Sequence, residues 1–379
     1  MTPAARIAAA IEVLDRIVAG DAAERALTAW ARGSRFAGSK DRAAIRDHVF
    51  GVLRKRRSCA VWGGGTDGRA LMIGALLADG IDPATMFTGE GHAPAPLAEG
   101  EGGDAPQGPD ALDLPDWLLD RFRASLGDQA EAVAEVLRHR APIMLRVNLR
   151  KGGVDGALAS LFNDGVEAEP DPISPTALRV SAGERRIRLS AAYADGLVEL
   201  QDGSSQAAVD ELPLESNWNI LDFCAGGGGK ILAMAGRVQA RITAHDADPN
   251  RLKDLEPRAE RAGVDVAVLP SGALTGPYDL VLADVPCSGS GTWRRAPEAK
   301  WALSPERLAQ LQAIQAGILE QVAPMTQRIA YMTCSVLDDE CHDQVAAFVA
   351  RHPDWQLSAE HRWLPGPSGD GFYLALITR

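Results

Sequence analysis

Two cysteines follow short apolar segments of the sequence, where side chains at strand ends could react with a ligand. Cys287 comes after YDLVLADVP, and Cys334 comes after RIAYMT. A thiolate adds to carbon 6 of a pyrimidine and so makes carbon 5 nucleophilic enough to accept a methyl group, and a second thiol can assist release. Asp284 lies three residues before Cys287 and could hydrogen-bond the ring nitrogen or the exocyclic amine. Two thiols and an acid therefore supply the groups for methylation at carbon 5.

The other three cysteines, Cys59, Cys224 and Cys341, are expected to pack as inert thiols. The five cysteines form no CxxC pair and have no His cluster nearby, so we expect no disulfide framework and no metal site. Reduced thiols are typical of the cytoplasm. No uninterrupted apolar stretch approaches the roughly 18 residues that a membrane span needs, so we expect a cytoplasmic protein.

A glycine-rich turn after an earlier apolar segment predicts a nucleoside-binding site. DFCAGGGGK runs from Asp222 to Lys230, and its glycines let the backbone approach a ligand while the next helix offers free N–H groups. Asp246, twenty residues beyond Gly226, ends the following predicted strand and can accept both ribose hydroxyls. The absence of GxGxxG counts against NAD. The carboxylates of Asp222, Asp246 and Asp284 suit the positive sulfonium of S-adenosylmethionine better.

Strands and helices alternate from Trp218 onward, which predicts an α/β domain with a mostly parallel, doubly wound sheet. The predicted strands are 219–224, 241–246, 264–269, 278–285, 328–335 and 372–378, and the predicted helices are 229–236, 249–262, 305–322 and 338–351. Ligands of such sheets bind at the carboxyl ends of the strands. We therefore expect the two cysteines to lie at the ligand-binding edge.

The rest of the chain divides into three further regions. Residues 1–90 have helical spacing, and the first 60 residues carry 12 Lys or Arg against 6 Asp or Glu, a net charge of +6. The whole chain carries −12, so the remainder carries −18. Residues 91–114 are rich in Gly, Pro and acids and predict a linker, 115–212 a small α+β domain, and 213–379 the catalytic domain.

Motifs along the chain resemble those of the bacterial and eukaryotic RNA cytosine-5 methyltransferases, the group that includes the Sun/Fmu 16S rRNA enzymes. They are DFCAGGGGK, HDADPNRL, ADVPCSGSGTWRRAPEAKW, YMTCSVLDDE, RAPIMLRVN, LQDGSSQAAV and DGFYLALI. FAGSKDRAAIRDHVFGVLR, in the basic head, is similar to the NusB-like domain of the rRNA-modifying branch. The resemblance implies a C-terminal Rossmann-like S-adenosylmethionine methyltransferase domain after an all-α NusB-like domain and a small α+β RNA-binding domain.

The resemblance also assigns roles to individual residues. In that family the cysteine of the TCS motif attacks and the cysteine of the PC motif assists release, which implies that Cys334 is the nucleophile and Cys287 its helper. The implied cofactor contacts are Cys224, Ala225, Gly226, Gly227, Gly228, Gly229, Lys230, Asp246, Ser271 and Asp284. The family's usual turn reads CAAPGGK, so Gly227 replaces a proline in this sequence.

Arginines near the PC motif are expected to contact RNA. Arg294 and Arg295 would hold phosphates beside a flipped-out cytosine, and Arg146 would extend that track. We expect S-adenosylmethionine as the cofactor, 16S rRNA as the partner, and a monomer. Two alternatives stay open: a ribosome-assembly scaffold that has lost the cofactor, and the same chemistry on tRNA or DNA.

Overall fold

The computed structural model describes residues 1–269 and 276–379 of the 379-residue chain. The α-helices are α1 Pro3–Val18, α2 Ala23–Gly33, α3 Ser39–Arg54, α4 Arg56–Gly63, α5 Gly68–Ala78, α6 Asp116–Leu126, α7 Ala130–Leu137, α8 Val154–Asn163, α9 Ala191–Ala194, α10 Gly203–Asp210, α11 Gly229–Arg237, α12 Leu255–Ala262, α13 Pro297–Ala302, α14 Pro305–Val322 and α15 His342–Arg351. The strands are β1 Ile143–Val147, β2 Glu167–Pro170, β3 Ala177–Ala182, β4 Val198–Leu200, β5 Asn219–Asp222, β6 Arg241–Ala244, β7 Ala267–Val268, β8 Leu280–Asp284, β9 Arg328–Thr333, β10 Gln356–Trp363 and β11 Phe372–Thr378.

The chain forms two compact units. The first contains Met1–Arg140 together with Trp293–Ala302, and the second contains Ala141–Thr292 together with Leu303–Arg379. Helices α6 and α7 belong to the first unit, although the sequence placed them in a small domain that begins at residue 115. The ten residues Trp293–Ala302, which follow the Cys287 loop, therefore belong to the first unit, although the chain on both sides of them belongs to the second.

The first unit is helical, and the segment predicted as a linker is part of it. Asp113 is buried and accepts hydrogen bonds from the Ser58 amide and hydroxyl, both at 2.8 Å, and from Arg138 Nε at 2.9 Å. These bonds join the end of the 91–114 segment to α4 and to the end of α7. A buried carboxylate with three donors fixes the backbone around it.

The second unit contains two sheets. The smaller has the order β2-β3-β1-β4 with every pair antiparallel, and it follows a β-α-β-β-α-β succession with α8 and α9 as its helices. The larger has the order β10-β11-β9-β8-β5-β6-β7. Its pairs from β9 to β7 are parallel, and β11 pairs antiparallel with both β9 and β10. The predicted α/β class with a mostly parallel sheet is confirmed.

Alternate residues of the central strands pack into two cores on opposite faces of the large sheet. Val281 and Tyr331 lie in the core covered by α14 and α15, whereas Leu282 and Met332 lie in the core covered by α10 and α11. Strands buried on both faces read as continuous apolar runs, which is why β8 and β9 are evident in the sequence. Their polar residues come only where the strands end.

Among the described residues, no helix combines the length and apolarity that a bilayer crossing requires. Within 1–269 and 276–379, no cluster of three or more His, Cys, Asp or Glu side chains is arranged to hold a metal ion.

Candidate active site

The structure brings the two predicted cysteines into contact. Strand β8 ends at Asp284 and its parallel neighbour β9 ends at Thr333, with Asp284 opposite Met332. The loops that follow place Cys287 Sγ 3.3 Å from Cys334 Sγ. Both thiols are partly exposed, and all five cysteines are free. Two reduced thiols therefore share one partly open position at the carboxyl edge of the sheet.

An ion pair lies beside the thiols. Lys230 Nζ is 2.6 Å from Asp284 Oδ2. Burial alone would lower the pKa of Lys230, but Asp284 raises it above its ordinary value, with smaller contributions from Asp222 and Cys334. The Asp284 carboxylate is 31% exposed, so it can also reach a bound base. Lys230 thus supplies a fixed positive charge close to Cys334.

The cysteines differ in their environments. The hydrogen bond with Cys334, burial, and the negative charges of Cys334 and Glu340 raise the pKa of Cys287 well above its ordinary value. Burial raises the pKa of Cys59 and Cys341 to about 12 and also raises that of Cys224. Protonated thiols react slowly, and Cys59 and Cys341 are also buried, whereas Cys224 is partly exposed.

The glycine-rich turn has the backbone that a ligand cradle needs. Gly226 has a φ of +49°, and its amide donates to Asp246 Oδ2 at 3.0 Å. Gly228 has a φ of +77° and precedes α11, and a Cβ there would lie 2.2 Å from Leu255 Cδ1. Only glycine tolerates both the left-handed backbone and this close approach. The amide of Ala225 donates to the His245 carbonyl at 2.9 Å, which ties the turn to the end of β6.

Two arginines, the buried Arg146 and the partly buried Arg258, hold the carbonyls of this turn. Arg146 Nη1 donates to the Gly229 carbonyl at 2.9 Å, and Arg258 donates to the Gly227 carbonyl. A Cβ on Gly227 would lie 2.8 Å from Arg258 Nη1, so the arginine occupies the space beside the residue where the family has proline. The role of Arg258 is not evident from the sequence, where its only signal is the glycine at 227.

The placement of Arg146 corrects one sequence prediction. Its side chain is 6% exposed and bonds to Gly229 and Gln201, and burial lowers its pKa to about 10. A guanidinium covered in this way cannot contact RNA phosphate. Arg146 instead stabilises the glycine-rich turn through its hydrogen bond to the Gly229 carbonyl.

Asp246 retains the capacity to accept further bonds. It is buried, and it accepts from the Gly226 amide at 3.0 Å and the Asp248 amide at 3.0 Å, with Arg251 Nη1 at 3.2 Å. A carboxylate offers about four acceptor positions. A glycine cradle flanked by Asp222, Asp246 and Asp284 fits a cationic nucleoside ligand of the S-adenosylmethionine class. Ser271, also predicted to contact the cofactor, lies outside the described residues.

Asp222 is a buried acid at the end of β5. Its Oδ1 has no hydrogen-bond partner among the described residues, and its side chain is 1% exposed. Burial, with the charge of Asp284 in addition, raises the pKa of Asp222 to about 7. The folded state therefore binds a proton that the unfolded state, with a value near 3.8, releases at lower pH. The contribution of Asp222 protonation to stability is therefore fully present below about pH 4 and is lost as pH rises to about 7.

We expect Asp222→Asn to stabilise the protein above pH 7, because the amide carries no charge that burial must offset. The difference from wild type should grow from pH 5 to pH 8 by at most about 3 kcal/mol. Thermal and urea unfolding at both pH values measure it. The exposed Asp354→Asn substitution serves as the control and should show no such growth. A constant difference between pH 5 and pH 8 would contradict the assignment.

Arg294 and Arg295 lie in the ten-residue segment that joins the first unit. Arg294 is 3% exposed, and its carbonyl accepts from Arg54 Nε at 2.6 Å. This burial argues against the predicted phosphate contact of Arg294, because its guanidinium is not at the surface. Arg295 is exposed, and its RNA contact stays a prediction.

The rest of this segment caps helices of the first unit. Glu298 Oε1 accepts from the Ala23 amide at 2.6 Å, at the start of α2. Lys300 Nζ and Trp301 Nε1 donate to the carbonyls of Arg54 and Leu53, at 3.0 and 2.7 Å, at the end of α3. Helix ends leave backbone amides and carbonyls without partners inside the helix. The APEAKW segment therefore has a structural role, which its charged residues alone do not indicate.

Comparison with known proteins identifies the family. Residues 210–377 match the family described as 16S rRNA methyltransferase RsmB/F, and residues 114–185 match the ferredoxin-like domain of RsmF/B-like methyltransferases. The chain belongs to the RsmB/F methyltransferase family. The resemblance read from the sequence motifs is thus confirmed.

Relatives of this family member are named Ribosomal RNA small subunit methyltransferase B. That of Proteus mirabilis is 34% identical over 280 residues, covering 70% of this chain and 65% of the relative. That of Klebsiella pneumoniae subsp. pneumoniae is 34% identical over 286 residues, covering 70% and 66%. The matched region thus spans slightly less than two thirds of these relatives.

Solved structures share the fold of this RsmB/F chain. The structure of PH0851 has a TM-score of 0.77 at 23% identity and covers 100% of this chain and 99% of its own. NSun6 from Pyrococcus horikoshii, solved with SFG, has a TM-score of 0.62 at 16% identity, covering 70% and 98%.

Proposed function

We propose that this protein is an S-adenosylmethionine-dependent RNA cytosine-5 methyltransferase that acts on 16S rRNA. The observation that carries the proposal is the 3.3 Å contact between Cys287 and Cys334 beside the Lys230–Asp284 ion pair. The names of its RsmB/F relatives support rRNA as the substrate.

In the proposed reaction Cys334 is the nucleophile. Its sulfur forms a bond to carbon 6 of the cytosine, and the electron pair of the C5=C6 bond becomes available at carbon 5. This attack depends on the thiolate form of the cysteine, and the positive charge of Lys230 lies close to the Cys334 sulfur. Asp284 hydrogen-bonds the ring nitrogen or exocyclic amine of the base. S-adenosylmethionine supplies the electrophilic methyl group.

Release requires the adduct to collapse. Loss of the carbon 5 proton to water reforms the C5=C6 bond, and the electron pair of the C6–S bond returns to Cys334. Cys287, 3.3 Å away, assists this departure. The two cysteines therefore act in sequence on one base.

The binding-scaffold alternative is weaker on this structure. Gly227 and Ser271 motivate it; Ser271 lies outside the described residues, and Arg258 and Arg146 hold the turn where proline is absent. Calorimetric titration with S-adenosylmethionine separates the two functions, because a scaffold that has lost the cofactor gives no heat of binding.

The proposal is tested by methyl transfer to isolated RNAs. The protein and radiolabelled S-adenosylmethionine are incubated with unmodified 16S rRNA, 23S rRNA or tRNA, and nucleosides are resolved by mass spectrometry. We expect 5-methylcytidine in 16S rRNA at a yield at least about tenfold above the other RNAs. Label in tRNA alone would show that the same reaction acts on tRNA and not on 16S rRNA. Label in no RNA would contradict the proposal.

A further inference from the structure

A buried carboxylate lies between the two cysteine loops. Glu340 is 0% exposed. Its Oε1 accepts from the Ser288 amide at 2.8 Å and from Gln315 Nε2 at 3.0 Å. Its Oε2 accepts from the Ser335 hydroxyl at 2.7 Å and from the Ser288 hydroxyl. Every one of these partners is a donor, which is the arrangement that stabilises an ionised carboxylate inside a protein.

These partners are the chain neighbours of the two thiols. Ser288 directly follows Cys287, and Ser335 directly follows Cys334. Ser290 extends the network, because its hydroxyl is 2.8 Å from that of Ser335 and the Gly291 amide donates to the Cys334 carbonyl at 2.9 Å. One carboxylate therefore fixes both loops and sets the spacing of their sulfurs.

The charges around the sulfur pair are not symmetric. Glu340 bonds directly to the backbone that follows Cys287. The pKa of that thiol is raised by its hydrogen bond with Cys334 and by burial, and the charge of Glu340 raises it further. The ammonium of Lys230 and the Cys334 sulfur interact electrostatically. A negative neighbour favours the thiol and a positive neighbour favours the thiolate.

We propose that Glu340 is a positioning residue that keeps Cys287 a neutral thiol, with its S–H directed at the Cys334 sulfur. This rests on the proposed function. In the attack, the S–H hydrogen bond orients the Cys334 thiolate toward carbon 6. In the release, the same bond stabilises the thiolate as it receives the electron pair of the C6–S bond. Cys287 itself gains and loses no proton.

Other titratable groups also face this pair of cysteines. They are the Lys230–Asp284 ion pair, the hydroxyl of Tyr331, which donates to the Glu340 carbonyl at 2.7 Å, and the thiol of Cys341. Burial raises the pKa of Tyr331 and of Cys341, so both stay neutral up to high pH. Glu340 is thus the carboxyl side chain bonded directly to the Cys287 loop, so its replacement should change the reactivity of Cys287.

The test measures alkylation of each cysteine by iodoacetamide, resolved by peptide mass spectrometry from pH 6 to pH 10, without RNA or cofactor. In wild type, Cys287 should react at least about tenfold more slowly than Cys334 at pH 8. In Glu340→Gln, alkylation of Cys287 at pH 8 should accelerate about tenfold, and that of Cys334 should change less than about threefold. Asp343→Asn, which removes an exposed carboxylate three residues away, should change neither rate.

Several results would overturn the inference. If Cys287 is alkylated as fast as Cys334 in wild type, the inference is wrong, and this result does not depend on whether Glu340→Gln folds. If Glu340→Gln folds and changes the alkylation rates of both thiols equally, the inference is also wrong. Because the assay needs no substrate, its outcome is independent of whether the protein methylates RNA. If it does, Glu340→Gln should lower kcat at least about tenfold and leave KM for RNA within about threefold.

Discussion

Cys334→Ala is expected to abolish methyl transfer, with a loss of about 10⁴-fold or more in kcat. Without a nucleophile that adds to carbon 6, carbon 5 is not nucleophilic enough to accept the methyl group. Removal of an attacking group is among the substitutions that lower kcat most. Transfer of radiolabelled methyl to RNA under saturating substrate measures the loss. Binding of S-adenosylmethionine by calorimetry should stay within about threefold of wild type.

The matched control is Cys341→Ala. Cys341 is a fully buried thiol seven residues beyond Cys334, with its sulfur 3.4 Å from the Thr333 hydroxyl. Its loss should lower stability by about 1 kcal/mol and leave activity within about threefold. Residual methyl transfer by Cys334→Ala above about 1% of wild type would assign the attack to another group.

Cys287→Ala is expected to accumulate a covalent protein–RNA complex. Attack by Cys334 remains possible, but the leaving sulfur loses the neighbour that lies 3.3 Å away. Turnover should fall by about 100-fold or more, within the range typical of a group that assists proton or leaving-group chemistry. A band that survives denaturation and disappears with ribonuclease measures the complex.

The control for this trap is the double variant Cys287→Ala/Cys334→Ala, which should form no complex. A complex of equal yield in the double variant would exclude Cys334 as the attached residue. A Cys287→Ala variant with normal turnover and no complex would remove Cys287 from the release step.

The neighbouring positions of the two cysteines could be predicted from the sequence because topology dictates them. Cys287 and Cys334 follow apolar runs, and buried runs of that kind form the central parallel strands β8 and β9. The carboxyl ends of parallel strands meet at one edge. The turn at 226–229 and the acid at Asp246 could be placed for the same reason.

The outer strands of the large sheet have no clear periodic pattern of apolar residues in the sequence. Strand β10 lies at the edge of the sheet with mostly exposed or partly exposed residues, and its polar sequence QLSAEHRW lacks the apolar pattern of a central strand. The observed strand β7 is limited to Ala267–Val268, whereas the sequence predicted 264–269. Propensity is a weak guide at edges, where pairing with a neighbour decides the structure.

Charged residues misled the sequence analysis where tertiary packing buries them. Arg146 and Arg294 were expected at the RNA surface, yet both are almost fully covered. Buried Arg and Lys are uncommon, so a surface role was the reasonable expectation for each. The role of Glu340 is hidden in the sequence, because an acid six residues after Cys334 is typical of an exposed helix start. Its four donors are evident only in three dimensions.

Mass spectrometry of the trapped Cys287→Ala complex tests the proposed chemistry most directly. After digestion with ribonuclease and protease, the cytidine adduct should lie on the peptide that contains Cys334. A cytidine mass on any other peptide, or a trapped complex joined through a residue other than cysteine, would contradict the assignment of Cys334 as the nucleophile.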